Sequence, residues 1–310
     1  MIINTGMRTD IPAFYSKWFM NRIREGYVLV RNPYYHEQVT KYLLNPDVVD
    51  ALAFCTKNPA PMFPYMNEIS KFRQFWFITI TPYGKDIEPN VPDKNAVIES
   101  FKQLSDIVGV NAVGWRYDPI FITKKYSLEY HIRAFEKMAE NLCGYTKQVV
   151  ISFIDIYKKT KRNFPEARSV SSSERIEIGK AFAQIGRKYG MTIRSCFEGT
   201  DLEPYGVDVA GCMTHDIVEH AVGVKLDVPK MPNARQGCNC LLGNDIGTYN
   251  TCGHLCRYCY ANYDNQTVLD NMKRHNPNSP FLIGGHQKGD IITSAKQFSY
   301  LSNQLTLDLF

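Results

Sequence analysis

Cysteine is the residue type whose spacing in this chain points most directly to chemistry. The chain has nine cysteines, and five of them fall between residues 238 and 259. Three of the five, Cys252, Cys256 and Cys259, follow the spacing C-x3-C-x2-C. Thiolates this close together can hold three irons of a cubane cluster and leave the fourth iron open to a substrate or cofactor. A zinc site completed by His254 or another cysteine, and a chance grouping, are the alternatives.

Four more cysteines are candidates for a second centre: Cys196, Cys212, Cys238 and Cys240. Cys238 and Cys240 form a C-x-C pair, and Gly211 permits a tight turn beside Cys212. Such a set is expected to ligate either another [4Fe-4S] cluster or zinc, because metal binding can organise a segment rich in Pro and Gly. Ordinary buried residues are the alternative for the first two, and Cys55 and Cys143 are interpreted as ordinary residues.

Apolar runs rich in β-branched and aromatic residues alternate with helical patterns from residue 2 to residue 197. The six main runs are 2–5, 49–56, 75–81, 112–117, 149–154 and 192–197. A short extra strand is predicted over 27–31, and helices are predicted over 12–24, 95–108, 127–144 and 171–190. Continuous apolar strands separated by helices are typical of a parallel sheet that is buried on both faces.

This alternation predicts an α/β fold and favours a partial (β/α)6 TIM-like barrel with a C-terminal cysteine-rich iron–sulfur segment. An open doubly wound sheet is the alternative, but the chain lacks a glycine-rich dinucleotide fingerprint and a phosphate-binding loop with its lysine. Residues 1–225 are assigned to the barrel, 226–265 to the cluster-binding segment, and 266–310 to a C-terminal extension that docks on the barrel. The cysteine loop is expected to fold back over the C-terminal ends of the strands.

Polar residues follow all six runs, where the functional groups of a barrel collect. The candidates for catalysis are Arg8, Asp10, Lys57, Arg116 and Asp118. The candidates for cofactor binding are Thr56, Asn58 and Ser152. The competing interpretation is that loops are polar because they are solvated, and it is favoured for Asp86 and Glu88. His131 lies on a helix face and is expected to be a structural histidine.

The cysteine motif resembles that of the radical SAM superfamily, in which an aromatic residue precedes the last cysteine, as Tyr258 does here. The segment 249–261, which ends in Tyr-Cys-Tyr-Ala, is especially similar to the spore photoproduct lyase-like branch. The resemblance implies a [4Fe-4S] cluster, S-adenosylmethionine (SAM) on the fourth iron, and Tyr258 packed near the adenine. It also implies an electron donor such as flavodoxin or ferredoxin.

The chain departs from the superfamily in where the cysteines stand. In the superfamily the cysteine loop follows the first strand, whereas here that place is taken by residues 8–15. Thr56, Lys57 and Asn58 stand where many members carry Gly-Gly-Glu to bind the methionine amine. The whole chain is similar to an uncharacterised bacterial family that carries radical-SAM-like cysteines near its C-terminus.

Composition sets outer limits on the function. Of the 310 residues, 44% are hydrophobic and 22% are charged, and the net charge of +5 is only mildly basic. No apolar run is long enough to span a bilayer and no signal peptide is recognised, so a cytoplasmic protein without a membrane partner is expected. The resulting prediction is a SAM-dependent enzyme that generates a 5′-deoxyadenosyl radical to act on an unidentified small-molecule or nucleic-acid-derived substrate. The alternative is a non-catalytic iron–sulfur or zinc-binding barrel that binds a ligand or nucleic acid.

Overall fold

The computed structural model describes residues 1–196, 198–229, 239–241 and 243–302. Within these ranges the chain forms an α/β fold with a seven-stranded and a three-stranded sheet. The strands are β1 (Ile2–Asn4), β2 (Tyr27–Arg31), β3 (Gln38–Leu43), β4 (Ala51–Thr56), β5 (Gln74–Thr79), β6 (Val113–Ile120), β7 (Gln148–Phe153), β8 (Thr192–Ser195), β9 (Asn244–Asp245) and β10 (Ile291–Ser294). The α-helices are α1 (Ile11–Phe14), α2 (Ser16–Glu25), α3 (Met66–Ile69), α4 (Lys94–Val108), α5 (Leu128–Leu142), α6 (Lys158–Asn163), α7 (Ser172–Lys188), α8 (His215–Val222) and α9 (Asn265–Lys273).

The ladders of the seven-stranded sheet are parallel, and its strand order is β8-β7-β6-β5-β4-β1-β9. The six predicted main strands are confirmed as β1 and β4 to β8. The largest shift of a boundary is at β6, which ends at Ile120 rather than at residue 117. Because the strands run in one direction, their C-terminal ends form a single edge of the sheet, where loops collect.

The two faces of the seven-stranded sheet are covered by different elements. On one face, Phe54 of β4 belongs to an apolar cluster with Phe135 of α5 and Phe182 of α7. On the other face, Ala53 of β4 lies in a second cluster with Val218 of α8. Successive side chains of a strand point to opposite faces, so neighbours along β4 contribute to different layers. The core therefore has a helical layer on one side and the segment around α8 on the other.

The helix predicted over 12–24 is wrong in one respect, because α1 and α2 are separate helices that meet at Tyr15. Asp10 caps α1 by accepting a hydrogen bond from the Ala13 N–H at 3.0 Å. Tyr15 leaves the helical conformation with φ −132° and ψ 22°. Its hydroxyl donates to the carbonyl oxygen of Thr251 at 2.7 Å. The break therefore directs Tyr15 towards the cysteine loop. The other three predicted helices are confirmed as α4, α5 and α7.

The three-stranded sheet has the order β10-β3-β2 and confirms the extra strand predicted over 27–31. β2 and β3 are antiparallel, and β10 pairs with β3 in parallel. C-terminal residues pack against the N-terminal region, where Trp18 Nε1 donates to the carbonyl oxygen of Ser279 at 2.9 Å. None of the helices in the described ranges has the length and apolar character needed to cross a bilayer.

Candidate functional site

The cysteine loop, residues 250–262, lies over the C-terminal edge of the seven-stranded sheet. The Arg257 N–H donates to the carbonyl oxygen of Ile87 at 3.0 Å, and Asn90 Nδ2 donates to that of Gly253 at 2.8 Å. Ile87 and Asn90 belong to the segment that follows β5. These bonds join the loop to the strand ends, so the position predicted from the sequence is confirmed.

Two residues of the cysteine loop have left-handed backbone conformations. Asn250 has φ 59° and Leu255 has φ 56°. Asparagine adopts this region readily, but a leucine there is uncommon because its side chain crowds the backbone. Residues held in such conformations concentrate at functional sites, where surrounding contacts fix them. The loop therefore has a shape that local preference alone does not produce.

Backbone N–H groups are directed at two of the three motif sulfurs. Burial raises the pKa of the Cys252 and Cys259 thiols. Hydrogen bonds from the backbone N–H of His254 to Cys252, and from those of Ala261 and Asn262 to Cys259, act in the opposite direction on each pKa. Such bonds favour the thiolate, which is the form that binds metal.

The third motif cysteine, Cys256, lies beside a buried ion network. Burial raises its pKa to about 12, and the ammonium group of Lys57 partly opposes that rise. Lys57 Nζ lies 2.8 Å from Glu88 Oε1, and Lys94 Nζ contacts the other oxygen of the same carboxylate. Thr81 Oγ1 also donates to Glu88, at 2.7 Å. Glu88 is 1% exposed, so the network compensates its charge inside the protein.

The structure corrects the interpretation of Glu88 as a residue of a solvated loop. Burial alone would raise the pKa of Glu88, but the attraction of Lys57 and Lys94 outweighs it and brings the pKa to about 2. Asp86 does match the expectation, since its side chain is 45% exposed and pairs with Lys125 at 2.9 Å. The residues next to Asp86 and Glu88 in the chain carry no signal for this difference, because the partners of Glu88 come from the end of β4 and the start of α4.

Asp10 and His254 tie the cysteine loop to the end of β1. His254 Nε2 lies 2.9 Å from Asp10 Oδ2, and both side chains are buried. The Lys57 N–H donates to the same oxygen at 2.8 Å. His254 Nδ1 lies 3.5 Å from the carbonyl oxygen of Asn90. Both ring nitrogens therefore face oxygen atoms, and this arrangement weakens the alternative of a zinc site completed by His254.

Arg116, Asp118 and Ser152 form a polar group on the sheet face opposite the helical layer. Arg116 Nη2 lies 2.5 Å from Asp118 Oδ2, and Ser152 Oγ donates to the other carboxylate oxygen. Arg116 Nη1 lies 3.7 Å from Cys212 Sγ. The ladder of β6 and β7 shifts register beside Asp118, and such irregularities re-aim side chains. Asp118 thus contacts both Arg116 and Ser152, and Arg116 also contacts Cys212.

The remaining predicted residues of the strand ends lie apart from that group. Arg8 Nε lies 3.7 Å from Asp245 Oδ1, and the Arg8 guanidinium is 5.6 Å from the ring centroid of Tyr249. Thr56 Oγ1 accepts a hydrogen bond from the Asn58 N–H at 2.9 Å, which fixes the turn after β4. Arg8 therefore contacts the segment that precedes the cysteine loop, whereas Thr56 and Asn58 bond to each other.

Tyr258 connects the cysteine loop to an aromatic cluster. Its hydroxyl donates to Glu88, and its ring centroid lies 6.0 Å from that of Tyr83 and 6.1 Å from that of Phe121. Lys57 Nζ is 5.7 Å from the same ring. The side chain is thus held by both packing and a hydrogen bond.

Cys196, Cys212 and Cys240 form a second cysteine group. Cys212 Sγ lies 3.6 Å from the sulfur of each of the other two. The Met213 N–H donates to Cys240 Sγ at 3.3 Å. Gly211 has φ 130°, and a Cβ there would come within 3.1 Å of Cys240 Sγ. A glycine therefore allows the two segments to approach this closely.

The other cysteines differ in their surroundings. Cys238, the fourth residue predicted for the second centre, lies outside the described residues. Cys55 is half-buried on the sheet face that carries Arg116, and Cys143 is exposed at the end of α5. The cysteines in the described ranges are free thiols.

Two histidines, His131 and His215, make hydrogen bonds within the fold. His131 Nδ1 lies 2.8 Å from the Tyr117 hydroxyl and Nε2 lies 2.8 Å from the carbonyl oxygen of Phe121, and burial lowers its pKa to about 4. This confirms the structural role predicted for it. His215, Asp216 and Glu219 place ligand atoms within 4.8 Å of one another. Two of these three bond to the turn after α8, since His215 Nε2 contacts the Leu226 carbonyl oxygen and Glu219 accepts from the Leu226 N–H.

Comparisons with known proteins give one match. No curated protein and no solved structure matches this chain. One family, described as a domain of unknown function (DUF1848), matches residues 2–261, and the chain therefore belongs to that family.

Proposed function

We propose that the protein is an iron–sulfur enzyme of the radical SAM type, with a [4Fe-4S] cluster on Cys252, Cys256 and Cys259. The observation that carries the proposal is the loop itself, which presents three thiols at the C-terminal edge of a parallel sheet. The residues fit the group, because backbone N–H groups already point at two of the sulfurs. When bound, the cluster supplies the electron that cleaves SAM reductively to a 5′-deoxyadenosyl radical.

The order of the strands supports a partial (β/α)6 barrel around this edge. β1 and β4 to β8 stand side by side in the order in which they occur in the chain. A doubly wound sheet reverses its strand order at a switch point, and this sheet does not do so across those six strands. In a barrel, side chains at the C-terminal ends of several strands converge on one pocket. The proposed barrel would therefore bring Arg116, Asp118 and Ser152 towards the cluster.

The residues around the loop have separable roles under this proposal. Lys57 and Lys94 hold positive charge beside Cys256 and suit the carboxylate of a bound amino acid, while Tyr258 offers a ring for an adenine. Asp10 and His254 fix the loop against the end of β1. Arg116 and Asp118 would bind a polar substrate. A reductant such as flavodoxin or ferredoxin would approach from outside.

We further propose that the second cysteine group binds a metal. Two thiolates on one tetrahedral zinc ion, with Zn–S bonds of about 2.3 Å, lie about 3.8 Å apart. The separations of 3.6 Å about Cys212 are close to that value. A metal that joined Cys212 to either neighbour would need little movement of the sulfurs. An additional iron–sulfur cluster is the other possibility for this group.

A non-catalytic iron–sulfur or zinc-binding barrel that binds a ligand or nucleic acid is the second candidate function. The specific observation in its favour is the second cysteine group, since sulfur atoms at this spacing suit a structural zinc ion. The first group suits it less well, because His254 already contacts Asp10. The colour of protein purified without oxygen separates zinc from an iron–sulfur cluster, because zinc alone gives no visible absorption.

The deciding experiment is anaerobic reconstitution with iron and sulfide, followed by reduction in the presence of SAM. We expect a brown protein and the appearance of 5′-deoxyadenosine. The Cys252→Ala, Cys256→Ala and Cys259→Ala triple variant is expected to form none, and Cys143→Ala, at an exposed cysteine, is the matched control. A brown protein that leaves SAM intact under reduction would reject the enzyme and favour the second candidate. A colourless protein with zinc would reject both iron-based functions.

A further inference from the structure

A large open cavity lies beside the cysteine loop. Its volume is about 1010 Å³, and its walls come from several parts of the chain. Arg31 and Tyr34 belong to the three-stranded sheet and its turn, Lys158 to α6, and Arg8 to the segment after β1. The loop itself contributes Tyr260, which directly follows Cys259. The cavity therefore opens next to the proposed cluster.

The charged residues of this cavity are mainly cationic. Arg8, Arg31, Lys158 and Lys159 line it, and Asp245 is its carboxylate. Asp245 is 9% exposed and lies 3.7 Å from Arg8 Nε, so it pairs with one of these cations. Arg31 pairs with Asp290. Lys158 is exposed at the start of α6. With the two arginines paired to carboxylates, Lys158 and Lys159 supply the excess positive charge of the lining, which favours an anionic ligand.

Exposed tyrosines surround the same cavity. In its lining, Tyr34 is 80% exposed, Tyr157 is 44% exposed and Tyr260 is 50% exposed. Single exposed aromatic residues are ordinary, whereas a group of them around one concave site marks a binding surface.

We propose that this cavity binds a short single-stranded nucleic acid, whose phosphates contact the cations and whose bases stack on the tyrosines. Cationic grooves interleaved with aromatic rings recognise single strands in this way, because every base offers a flat face. A duplex keeps its bases stacked on one another and offers fewer such faces. Tyr260 adjoins the proposed cluster ligand Cys259, so the bound strand is also the substrate. This last step rests on the proposed function.

The test is fluorescence anisotropy of the full chain with a labelled eight-nucleotide single-stranded DNA of mixed sequence. Binding that weakens with salt and is stronger than binding to the matching duplex is expected. Tyr34→Ala is expected to raise Kd by roughly fivefold to a hundredfold, the range for loss of one stacked base. Phe298→Ala, at a residue that is 69% exposed, is the aromatic control and is expected to leave Kd unchanged.

A matched pair of lysine variants tests the contribution of charge to strand binding. Lys158→Gln is expected to weaken binding and reduce the salt dependence by about 0.7 in log–log slope, the value for one phosphate of a single strand. Lys137→Gln, at an exposed position of α5, is the control. Equal binding of inorganic polyphosphate, equal binding of duplex, or insensitivity to Tyr34→Ala would each overturn the proposal.

The tests of strand binding and of SAM cleavage have independent outcomes. The Cys252→Ala, Cys256→Ala and Cys259→Ala variant is expected to keep its affinity for the strand, because the cavity is built mainly from other segments. Strand binding without SAM cleavage would reject the proposed function and retain this inference. SAM cleavage without strand binding would do the opposite.

Discussion

The two cysteine groups are assembled in different ways. Cys252, Cys256 and Cys259 lie on one loop, whereas the second group draws Cys196, Cys212 and Cys240 from separate segments. The first group needs only the loop to adopt its shape. The second exists only after β8, the turn before α8 and residues 239–241 have come together. The difference teaches that spacing predicts a site within one loop, while topology decides a site between segments.

The groups also differ in their electrostatic surroundings. The first lies beside a carboxylate held between two lysines, Lys57 and Lys94. The second lies beside Arg116, which is paired with Asp118. Positive charge near thiols favours the thiolate form. Both cysteine groups therefore suit metal binding, but the lysines beside the first group also neutralise the buried carboxylate of Glu88.

The largest expected effect is the loss of metal from one group without loss from the other. Replacing Cys252, Cys256 and Cys259 together by alanine is expected to remove about four irons per chain. Replacing the three described cysteines of the second group is expected to leave those irons in place. Inductively coupled plasma mass spectrometry of reconstituted protein measures both. Retention of all iron by the first variant would break the comparison, because the loop would then hold no cluster.

The features that depend on neighbouring residues in the chain could be predicted from the sequence. The cysteine spacing, the six main strands and three of four helices were all visible as local patterns. The contact of Glu88 with Lys57, and that of Cys212 with Cys240, join residues far apart in the chain. No periodicity in the sequence indicates such pairs, and the sequence alone therefore favours a solvated Glu88.

The short added strands were missed for a related physical reason. β9 has two residues and exists because Asn244 and Asp245 pair with β1. β10 is exposed along its length and exists because it pairs with β3. Neither segment has an apolar alternation of its own, so only the partner strand makes it a strand.

Glu88→Gln is expected to destabilise the first region by about 3 kcal/mol, because it leaves two lysines without their buried partner. The folded pKa of Glu88 is about 2, below its ordinary value of 4.5. Between these values the unfolded chain binds more protons, so this contribution is complete above pH 4.5 and is lost as pH falls towards about 2. Urea denaturation across that pH range is the measurement.

The control for Glu88 is Glu99→Gln, at an exposed pair with Lys102 on α4. A surface pair of this kind contributes less than about 1 kcal/mol. Equal stability losses in the two variants would mean that the buried network does not distinguish the first region.

Gly211→Ala is expected to disturb the second group selectively. The added Cβ would lie 3.1 Å from Cys240 Sγ, at a backbone φ of 130° that disfavours side chains. A cost of about 1–3 kcal/mol is expected from strain of this kind. Gly223→Ala is the matched control, since its φ is 71° but no atom lies within 4 Å of an added Cβ.

Both glycine variants should lose stability, but only Gly211→Ala should change the metal content or thiol alkylation of the second group. Mass spectrometry of alkylated protein reports the second effect. Identical alkylation in the two variants would show that Gly211 serves the turn alone and not the approach of Cys240.

The smallest expected effect lies within the cysteine loop. Leu255 and Asn250 have nearly the same positive φ, 56° and 59°. Leu255→Gly is expected to stabilise the metal-free protein by roughly 0.5 kcal/mol, because relief of about 1–2 kcal/mol of left-handed strain exceeds the entropy cost of glycine. Asn250→Gly is expected to destabilise it by about 1 kcal/mol, because Asn250 Oδ1 accepts a hydrogen bond from the Tyr263 N–H. Because the two residues share a backbone conformation, changes of opposite sign in the free energy of unfolding, measured by urea denaturation, would separate strain from side-chain hydrogen bonding. Changes of the same sign would mean that the packing of Leu255 outweighs its strain.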